Sequence, residues 1–162
     1  MHKIATLTVA AAVTAGVLAP TAQAAHSKIQ FLAPSGNIGC QLGTAPDGSA
    51  FAWCKADEHR WIAPPQSHTC PRANVPPGAI GEPGGGENLQ LAEGQAPCFG
   101  FVMSQLFFSG QYAPPTLHYG DRRSVGSITC TVDPAGVTCA DSKTGNAFQM
   151  SRDAYTLTAP AA

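Results

Sequence analysis

The sequence predicts a mainly β domain with little helix, in the form of a small disulfide-stapled sandwich or open barrel. Two observations predict it: short alternating segments lie between Gly and Pro turns, and six cysteines accompany few aliphatic residues. Leu, Ile, Val and Phe make up only 24 of the 138 residues that follow Ala24. Small domains with so little core material are commonly stapled by disulfides. Short strands separated by turns are typical of all-β folds.

Residues 1–24 have the layout of a secretion signal. A short basic start precedes an apolar run from Ile4 to Leu18, and Ala22 and Ala24 are the small residues that signal peptidase accepts. The run has 15 residues, fewer than the about 20 needed to span a bilayer. We therefore expect cleavage after Ala24 and secretion of residues 25–162 as a single domain without a transmembrane segment.

The charge of the chain argues against two classes of partner. After Ala24 there are 8 Lys and Arg residues against 10 Asp and Glu residues, a net charge of −2. Nucleic-acid binding and attachment to anionic membranes both depend on clustered positive charge. We expect no nucleic-acid partner and no polybasic contact with a membrane.

All six cysteines follow the predicted signal, and an even number in an exported chain indicates three disulfides. They are Cys40, Cys54, Cys70, Cys98, Cys130 and Cys139. Residues 128–139 predict a β-hairpin, because alternating β-branched residues flank Asp-Pro-Ala-Gly, which suits a type I turn. Folding about this turn sets Cys130 opposite Cys139. Opposed residues have Cβ atoms about 4.5–5.5 Å apart, near the spacing that a disulfide requires.

Residues 36–54 predict a second hairpin with a longer loop. A turn centred on Asp47 sets Cys40 opposite Cys54, which leaves Cys70 to pair with Cys98 across the Pro- and Gly-rich middle of the chain. Each bridge is expected to contribute about 2–4 kcal/mol, chiefly by restricting the unfolded chain. A cross-link between Cys54 and Cys139 would contradict this interpretation.

Both hairpins begin with the same motif, Gly-x-Ile-x-Cys, at residues 36–40 and 126–130. Internal duplication and convergent hairpin chemistry explain five matching positions equally well.

The remaining predicted elements are short. Proline and glycine clusters at residues 62–65, 75–78 and 82–86 preclude long helices there. Alternating apolar residues predict strands around residues 89–91, 99–103, 117–119, 148–150 and 155–157. Residues 104–110 could instead form one helical turn.

Several spaced motifs resemble a known group of proteins. They are Phe31-x-x-Pro34-Ser35-Gly36-Asn37-Ile38-Gly39-Cys40, Trp61 to Pro65, Leu117-x-Tyr119-Gly120, Gly136-Val137-Thr138-Cys139 and Gly145-x-x-Phe148-x-x-Ser151-Arg152-x-x-Tyr155. As a set they resemble a family of small exported actinobacterial proteins of uncharacterised function, over roughly residues 31–157. The stretch near Gly84 and residues 99–110 fit the family pattern poorly. The resemblance implies export and a single disulfide-bonded β domain, and it carries no catalytic residues.

Candidate metal ligands are His59, His68 and His118, together with Asp57 or Glu58. Their spacings match no recognised zinc pattern, and disulfide-bonded cysteines do not act as ligands. We expect solvated loop histidines, no metal site and no cofactor.

Candidate catalytic groups are equally few. Ser35 lies in Pro-Ser-Gly-Asn, which is ordinary turn chemistry and not a Gly-x-Ser-x-Gly elbow. Three disulfides leave no free thiolate to act as a nucleophile. Asp57 and Glu58 are the one pair of adjacent carboxylates, interpreted as solvated surface. The charge cluster at residues 121–123 (Asp-Arg-Arg) is interpreted as a turn between strands, and a contact for an acidic ligand is the alternative. We therefore expect a protein that is not an enzyme.

Aromatic residues are the remaining feature that can indicate binding. The prominent ones are Trp53, Trp61, Phe107, Phe108, Tyr112 and Tyr119. Since aliphatic residues are scarce, we expect most of these rings in the core, and an exposed group would form a binding face. The predicted function is a non-catalytic extracellular binding or structural module for an unidentified extracellular or cell-envelope partner. The alternative is a small cell-envelope hydrolase or hydrolase inhibitor.

Overall fold

A computed structural model describes residues 28–63, 70, 88–100 and 113–160. Within these residues there are ten strands and no helix. The strands are β1 (Lys28–Leu32), β2 (Ile38–Thr44), β3 (Ala50–Ala56), β4 (Asn88–Ala92), β5 (Cys98–Gly100), β6 (Arg122–Val125), β7 (Ile128–Asp133), β8 (Gly136–Asp141), β9 (Ala147–Met150) and β10 (Tyr155–Thr158). They form two five-stranded antiparallel sheets, ordered β1-β2-β3-β4-β5 and β10-β9-β8-β7-β6.

The two predicted hairpins are confirmed, including their registers. Cys130 lies opposite Cys139 across β7 and β8, with Pro134 and Ala135 as the loop. Cys40 lies opposite Cys54 across β2 and β3. In that longer turn the Asp47 carboxylate accepts hydrogen bonds from the backbone N–H and the hydroxyl of Ser49, which lowers the pKa of Asp47.

The two sheets repeat the same arrangement. Each is a meander of five consecutive strands, and in each the disulfide joins the second strand to the third. Ile38 and Ile128, from the shared Gly-x-Ile-x-Cys motif, each begin the second strand of their meander and are buried. This equivalence of whole sheets supports internal duplication, which five matching residues alone could not decide.

The core lies between the two sheets. Of the two predicted architectures, the fold is therefore the sandwich and not the open barrel. Strand β3 faces it with small side chains, Ala52, Cys54 and Ala56, all buried. Some Cα atoms of β3 and β7, and of β4 and β8, consequently approach within 8 Å across the core, whereas packed sheets are typically about 10 Å apart. Larger residues fill the flanks, including Phe31, Leu42, Leu89, Phe148 and Met150.

All three predicted disulfides are present: Cys40–Cys54, Cys70–Cys98 and Cys130–Cys139. Three disulfides are typical of proteins in an oxidising environment. No helix of the described residues is both long and apolar enough to cross a membrane.

The strand predicted at residues 117–119 is wrong. This segment pairs with both sheets instead of forming a strand of one: Leu117 N–H donates to Leu32 O (2.9 Å), and Gly120 N–H donates to Val132 O (2.7 Å). Leu117 and Tyr119 alternate with a polar residue as in a strand, but Leu117 is buried and Tyr119 is 53% exposed, so apolar alternation alone does not distinguish such a crossing from a strand. The segment therefore ties the edge of one sheet to the other.

Two edge strands, β1 and β6, were not predicted as strands. Strand β6 begins with Arg122 and Arg123, which the sequence had assigned to a turn, and both are exposed. Their hydrogen bonding to β7 makes them a strand. Exposed charges are a common protection of sheet edges against pairing with other chains.

A polar cluster joins the sheets at the end remote from the β7–β8 turn. The buried carboxylate of Asp141, in β8, accepts hydrogen bonds from Gly94 N–H (2.9 Å), Lys143 N–H (3.0 Å) and the Thr144 hydroxyl (3.0 Å). Glu93, beside Gly94, pairs with the Lys143 ammonium. That contact lowers the pKa of Glu93 and raises the pKa of Lys143. Glu93 and Gly94 lie in the turn after β4 of one sheet, whereas Asp141 ends β8 of the partner sheet and Lys143 and Thr144 lie in the turn that follows it.

Candidate functional site

A groove of about 610 Å³ lies at the opposite end of the sandwich from the polar cluster. We call it the loop-end groove, because loops from both sheets build its walls. It is lined by Ala33, Ser35, Gly36, Asn37, Ile38, Asp57, Glu58, Tyr119, Asp133, Pro134, Ala135, Gly136, Ser151, Arg152 and Asp153. Five separate chain segments therefore meet at one surface.

One wall is a hydrogen-bonded frame centred on Asn37. Its side-chain N–H donates to Glu58 O (2.9 Å), and its side-chain oxygen accepts from Glu58 N–H (2.8 Å). Asp57 N–H also donates to Asn37 O (2.8 Å). The turn before Asn37 depends on Gly36, whose φ of 71° lies in the left-handed region that glycine adopts without strain. These contacts hold the β1–β2 turn against the chain that leaves β3.

The facing wall is the turn between β9 and β10. The Ser151 hydroxyl accepts from the backbone N–H groups of Asp153 (3.2 Å) and Ala154 (3.0 Å), which closes the turn. Arg152 then reaches the first wall, where its guanidinium donates to the Glu58 carboxylate at 2.8 Å. Both side chains are more than half exposed, so this ion pair aligns the walls and contributes little stability.

Among the described residues that line the groove, Tyr119 has the one large aromatic ring. It is 53% exposed. Its neighbours hold the backbone in place: His118 N–H donates to the Asp121 carboxylate (2.9 Å), and Gly120 N–H donates to Val132 O (2.7 Å). An aromatic ring on a fixed backbone can contact a ligand with little loss of conformational freedom on binding.

Negative charge predominates in the loop-end groove. The described part of its lining contains four carboxylates, Asp57, Glu58, Asp133 and Asp153, and one guanidinium, Arg152. Glu58 pairs with Arg152, and Asp153 pairs with Arg60 at 3.1 Å. Within the described residues no side chain forms an ion pair with Asp57 or Asp133. The groove therefore offers hydrogen-bond acceptors to a ligand that carries donors.

The structure disperses the candidate catalytic and metal-binding residues. Ser35 lies in the groove, where its hydroxyl accepts from Asn37 N–H (3.3 Å). His59 is held elsewhere, stacked on Trp61 with ring centroids 4.1 Å apart and its Nδ1 2.8 Å from Trp61 O. His118 is outside the groove lining, and His68 lies outside the described residues. Asp57 and Glu58, predicted as solvated surface, are exposed and line the groove.

The two tryptophans are buried, and Tyr119 lies in the groove. Trp61 belongs to the core, as expected for a ring that supplements few aliphatic residues, whereas Trp53 lies on the face of β3 opposite to its core-facing side chains. Trp61 joins two loops, because its indole N–H donates to Ser151 O (3.0 Å) and its ring meets Tyr155 edge-on with centroids 5.1 Å apart. Tyr119 is exposed. Phe107, Phe108 and Tyr112 lie outside the described residues.

The loop-end groove itself was not predicted from the sequence. A signal for it was present, since the Pro34–Asn37, Tyr119-Gly120 and Ser151-Arg152 portions of the spaced motifs all reach this end of the sandwich. Taken separately, residues 35–37 were interpreted as turn chemistry and Tyr119 as part of a strand, and Ser151-Arg152 had no interpretation outside the motif. Only the antiparallel order of two sheets brings these turns to the same end.

One further group of described residues has the spacing of metal ligands, the sulfurs of Cys54, Cys130 and Cys139. All three are in disulfides, so in this oxidised state they offer no thiolates to a metal.

Fold and groove together define a disulfide-stapled antiparallel β sandwich with a polar groove at one end. No protein-family model, curated protein or solved structure matches the chain.

Proposed function

We propose that the chain is an exported, non-catalytic binding module that takes its ligand in the loop-end groove. The observation that carries the proposal is the convergence of five chain segments from both sheets around the exposed ring of Tyr119. Export is supported by the three disulfides and by the signal-like residues 1–24. The resemblance to small exported actinobacterial proteins supports it as well.

The chemistry of the groove favours a ligand rich in hydrogen-bond donors. Tyr119 offers an aromatic face, to which sugar rings and organic cations bind well. Asp57 and Asp133 offer carboxylate oxygens, which accept from hydroxyl and ammonium groups. An amino-sugar-containing glycan of the cell envelope has both features, so it is the ligand class that we propose.

The alternative, a small envelope hydrolase or hydrolase inhibitor, has weaker support. Ser35 and two carboxylates share the groove, but neither His59 nor His118 lines it. A serine nucleophile normally needs an adjacent base within hydrogen-bond reach. This arrangement supports binding over hydrolysis.

Replacing Tyr119 by Ala is expected to weaken binding of soluble cell-wall glycan fragments about tenfold, because a ring contact is worth about 1 kcal/mol. Titration of the isotope-labelled, oxidised protein, followed by backbone NMR, measures affinity and locates the site. Ile62→Ala is the matched control, since Ile62 is 87% exposed and lies outside the groove lining. Equal affinity in Y119A and wild type, or shifts confined to other surfaces, would reject the groove as the site. Turnover of the fragments that is lost in S35A would favour the hydrolase.

Processing of the chain gives a second test of the proposal. N-terminal sequencing of protein recovered from the medium of the producing cell is expected to begin at Ala25, because Ala22 and Ala24 suit signal peptidase. Recovery of the chain in the envelope fraction with Met1 intact would contradict secretion.

A further inference from the structure

The two disulfides that staple the hairpins face each other inside the sandwich. Sγ of Cys54, in one sheet, lies 3.7 Å from Sγ of Cys139, in the other. Cys40, Cys54, Cys130 and Cys139 are all fully buried. Two sulfurs of different disulfides are thus in van der Waals contact, although each is already bonded to its partner across the hairpin.

We propose that this pair of disulfides is a thiol–disulfide exchange centre with two covalent states. In the resting state, Cys40–Cys54 and Cys130–Cys139 staple strands within each sheet. In the second state, a Cys54–Cys139 bridge joins the two sheets. An external dithiol is the reductant that starts the conversion.

The chemistry occurs in two steps. The dithiol first reduces Cys40–Cys54: it is oxidised to its own disulfide, and two protein thiols form. The Cys54 thiolate then attacks Sγ of Cys139, the new Cys54–Cys139 bond forms, and the Cys130–Cys139 bond breaks. Cys130 leaves as a thiolate, and the second step involves no net oxidation or reduction. Reduction of Cys130–Cys139 leads to the same bridge by the mirror-image route, with Cys40 as the leaving group.

The geometry selects Cys54 and Cys139 as the exchanging residues. The sulfurs of Cys54, Cys130 and Cys139 all lie within 4.8 Å of one another, and Cys40 is outside that group. The Cys54 thiolate therefore has its target in contact, whereas a thiolate at Cys40 would have to move first. An inter-sheet bridge is a known solution in β sandwiches, as in the immunoglobulin fold. The small side chains of β3 allow the sheets to approach closely enough here.

Burial makes the first step the slow one. None of the four sulfurs is exposed, so an external dithiol reaches them only when the sandwich opens locally. The second step starts from two sulfurs that already touch, and it requires the Cys130–Cys139 bond to turn into line with Cys54, because the three sulfurs within 4.8 Å of one another form a triangle. The centre is accordingly stable towards reductant in the closed sandwich and converts after it has opened.

Single serine variants test whether exchange depends on which cysteine of a disulfide carries the free thiol. Cys40→Ser leaves Cys54 as the free thiol, and Cys54→Ser leaves Cys40. In C40S we expect exchange under native conditions, so that alkylation finds free thiol at Cys130 and peptide mapping finds Cys54–Cys139. In C54S we expect the free thiol to stay at Cys40. The second matched pair, C130S and C139S, should behave likewise: free thiol appears at Cys40 in C130S and stays at Cys130 in C139S.

The same experiment checks that each variant is folded and that exchange occurs within one molecule. Near-UV circular dichroism verifies each variant, and a rate independent of protein concentration marks exchange within one molecule. Folded C40S whose free thiol remains entirely at Cys54 at pH 8.5 would overturn the proposal. If C40S does not fold, wild-type protein treated with a single equivalent of dithiothreitol gives the answer. The Cys54–Cys139 peptide is expected among the singly reduced molecules that retain Cys70–Cys98, and its absence from those molecules would overturn the proposal.

Discussion

Asp141→Ala is expected to lower the free energy of unfolding by at least about 3 kcal/mol. The Asp141 carboxylate is fully buried and accepts hydrogen bonds from Gly94, Lys143 and Thr144. Each hydrogen bond to a charged group is worth about 1.5–3 kcal/mol, and donors left without an acceptor add a desolvation penalty. Urea denaturation with the disulfides intact measures the loss. Asp133→Ala is the control, because Asp133 is exposed and most such surface changes stay within about 0.5 kcal/mol.

The same carboxylate makes stability depend on pH. Burial by itself raises the pKa of Asp141, but hydrogen bonds from Gly94 N–H, Lys143 N–H and the Thr144 hydroxyl outweigh it and lower the pKa to about 2. The ordinary value, about 3.9, applies to the unfolded chain. Since the folded-state pKa is depressed, the stabilisation is complete above about pH 4 and is lost as the pH falls towards 2.

The expected size of this loss is about 2 kcal/mol for wild type between pH 4 and pH 2, at about 1.4 kcal/mol for each pKa unit. Asp141→Asn removes the titrating group and keeps its shape. Other carboxylates, including Glu93, whose pKa is also lowered, titrate in both proteins, so the difference between the two pH profiles isolates Asp141. Parallel profiles for D141N and wild type would show that Asp141 does not carry the effect.

Gly136→Ala is expected to destabilise the fold by about 3 kcal/mol or more. A Cβ atom at this position would lie 2.1 Å from the backbone carbonyl oxygen of Met150, and φ is +128°, a conformation that residues with side chains rarely adopt. Strain of this kind costs about 1–3 kcal/mol, and overpacking adds a similar amount. The carbonyl belongs to β9, so relief requires a shift of the neighbouring strand.

The control for this variant is Gly48→Ala. Gly48 also has a positive φ, +87°, but a Cβ there would meet no atom within 4 Å. It therefore carries the conformational cost of about 1 kcal/mol without the clash. Chemical denaturation measures the free energy of unfolding of both variants. Equal destabilisation would mean that β9 shifts away from the added Cβ without an energetic penalty. Peptide mapping of G136A in addition reports whether the Cys130–Cys139 hairpin still closes.

The sequence by itself determined the covalent framework and the local hairpins. Asp-Pro-Ala-Gly between alternating β-branched residues sets the register that opposes Cys130 and Cys139, and that register was confirmed. Cys40–Cys54 followed from the same reasoning, and Cys70–Cys98 from elimination. These features were predictable because a turn, its flanking strands and a short disulfide loop involve residues that are neighbours in the chain. Their hydrogen bonding and loop closure are local.

The tertiary structure alone decided how the hairpins assemble. Strands β1 and β6 exist because their neighbours offer backbone hydrogen bonds, and residues 117–120 cross between sheets for the same reason. The contact of Cys54 with Cys139, and the meeting of Asn37, Tyr119 and Arg152 at one groove, depend on how two sheets pack. Residues far apart in the chain are brought together by burial of a shared core, and burial depends on total area and shape, which no short pattern encodes.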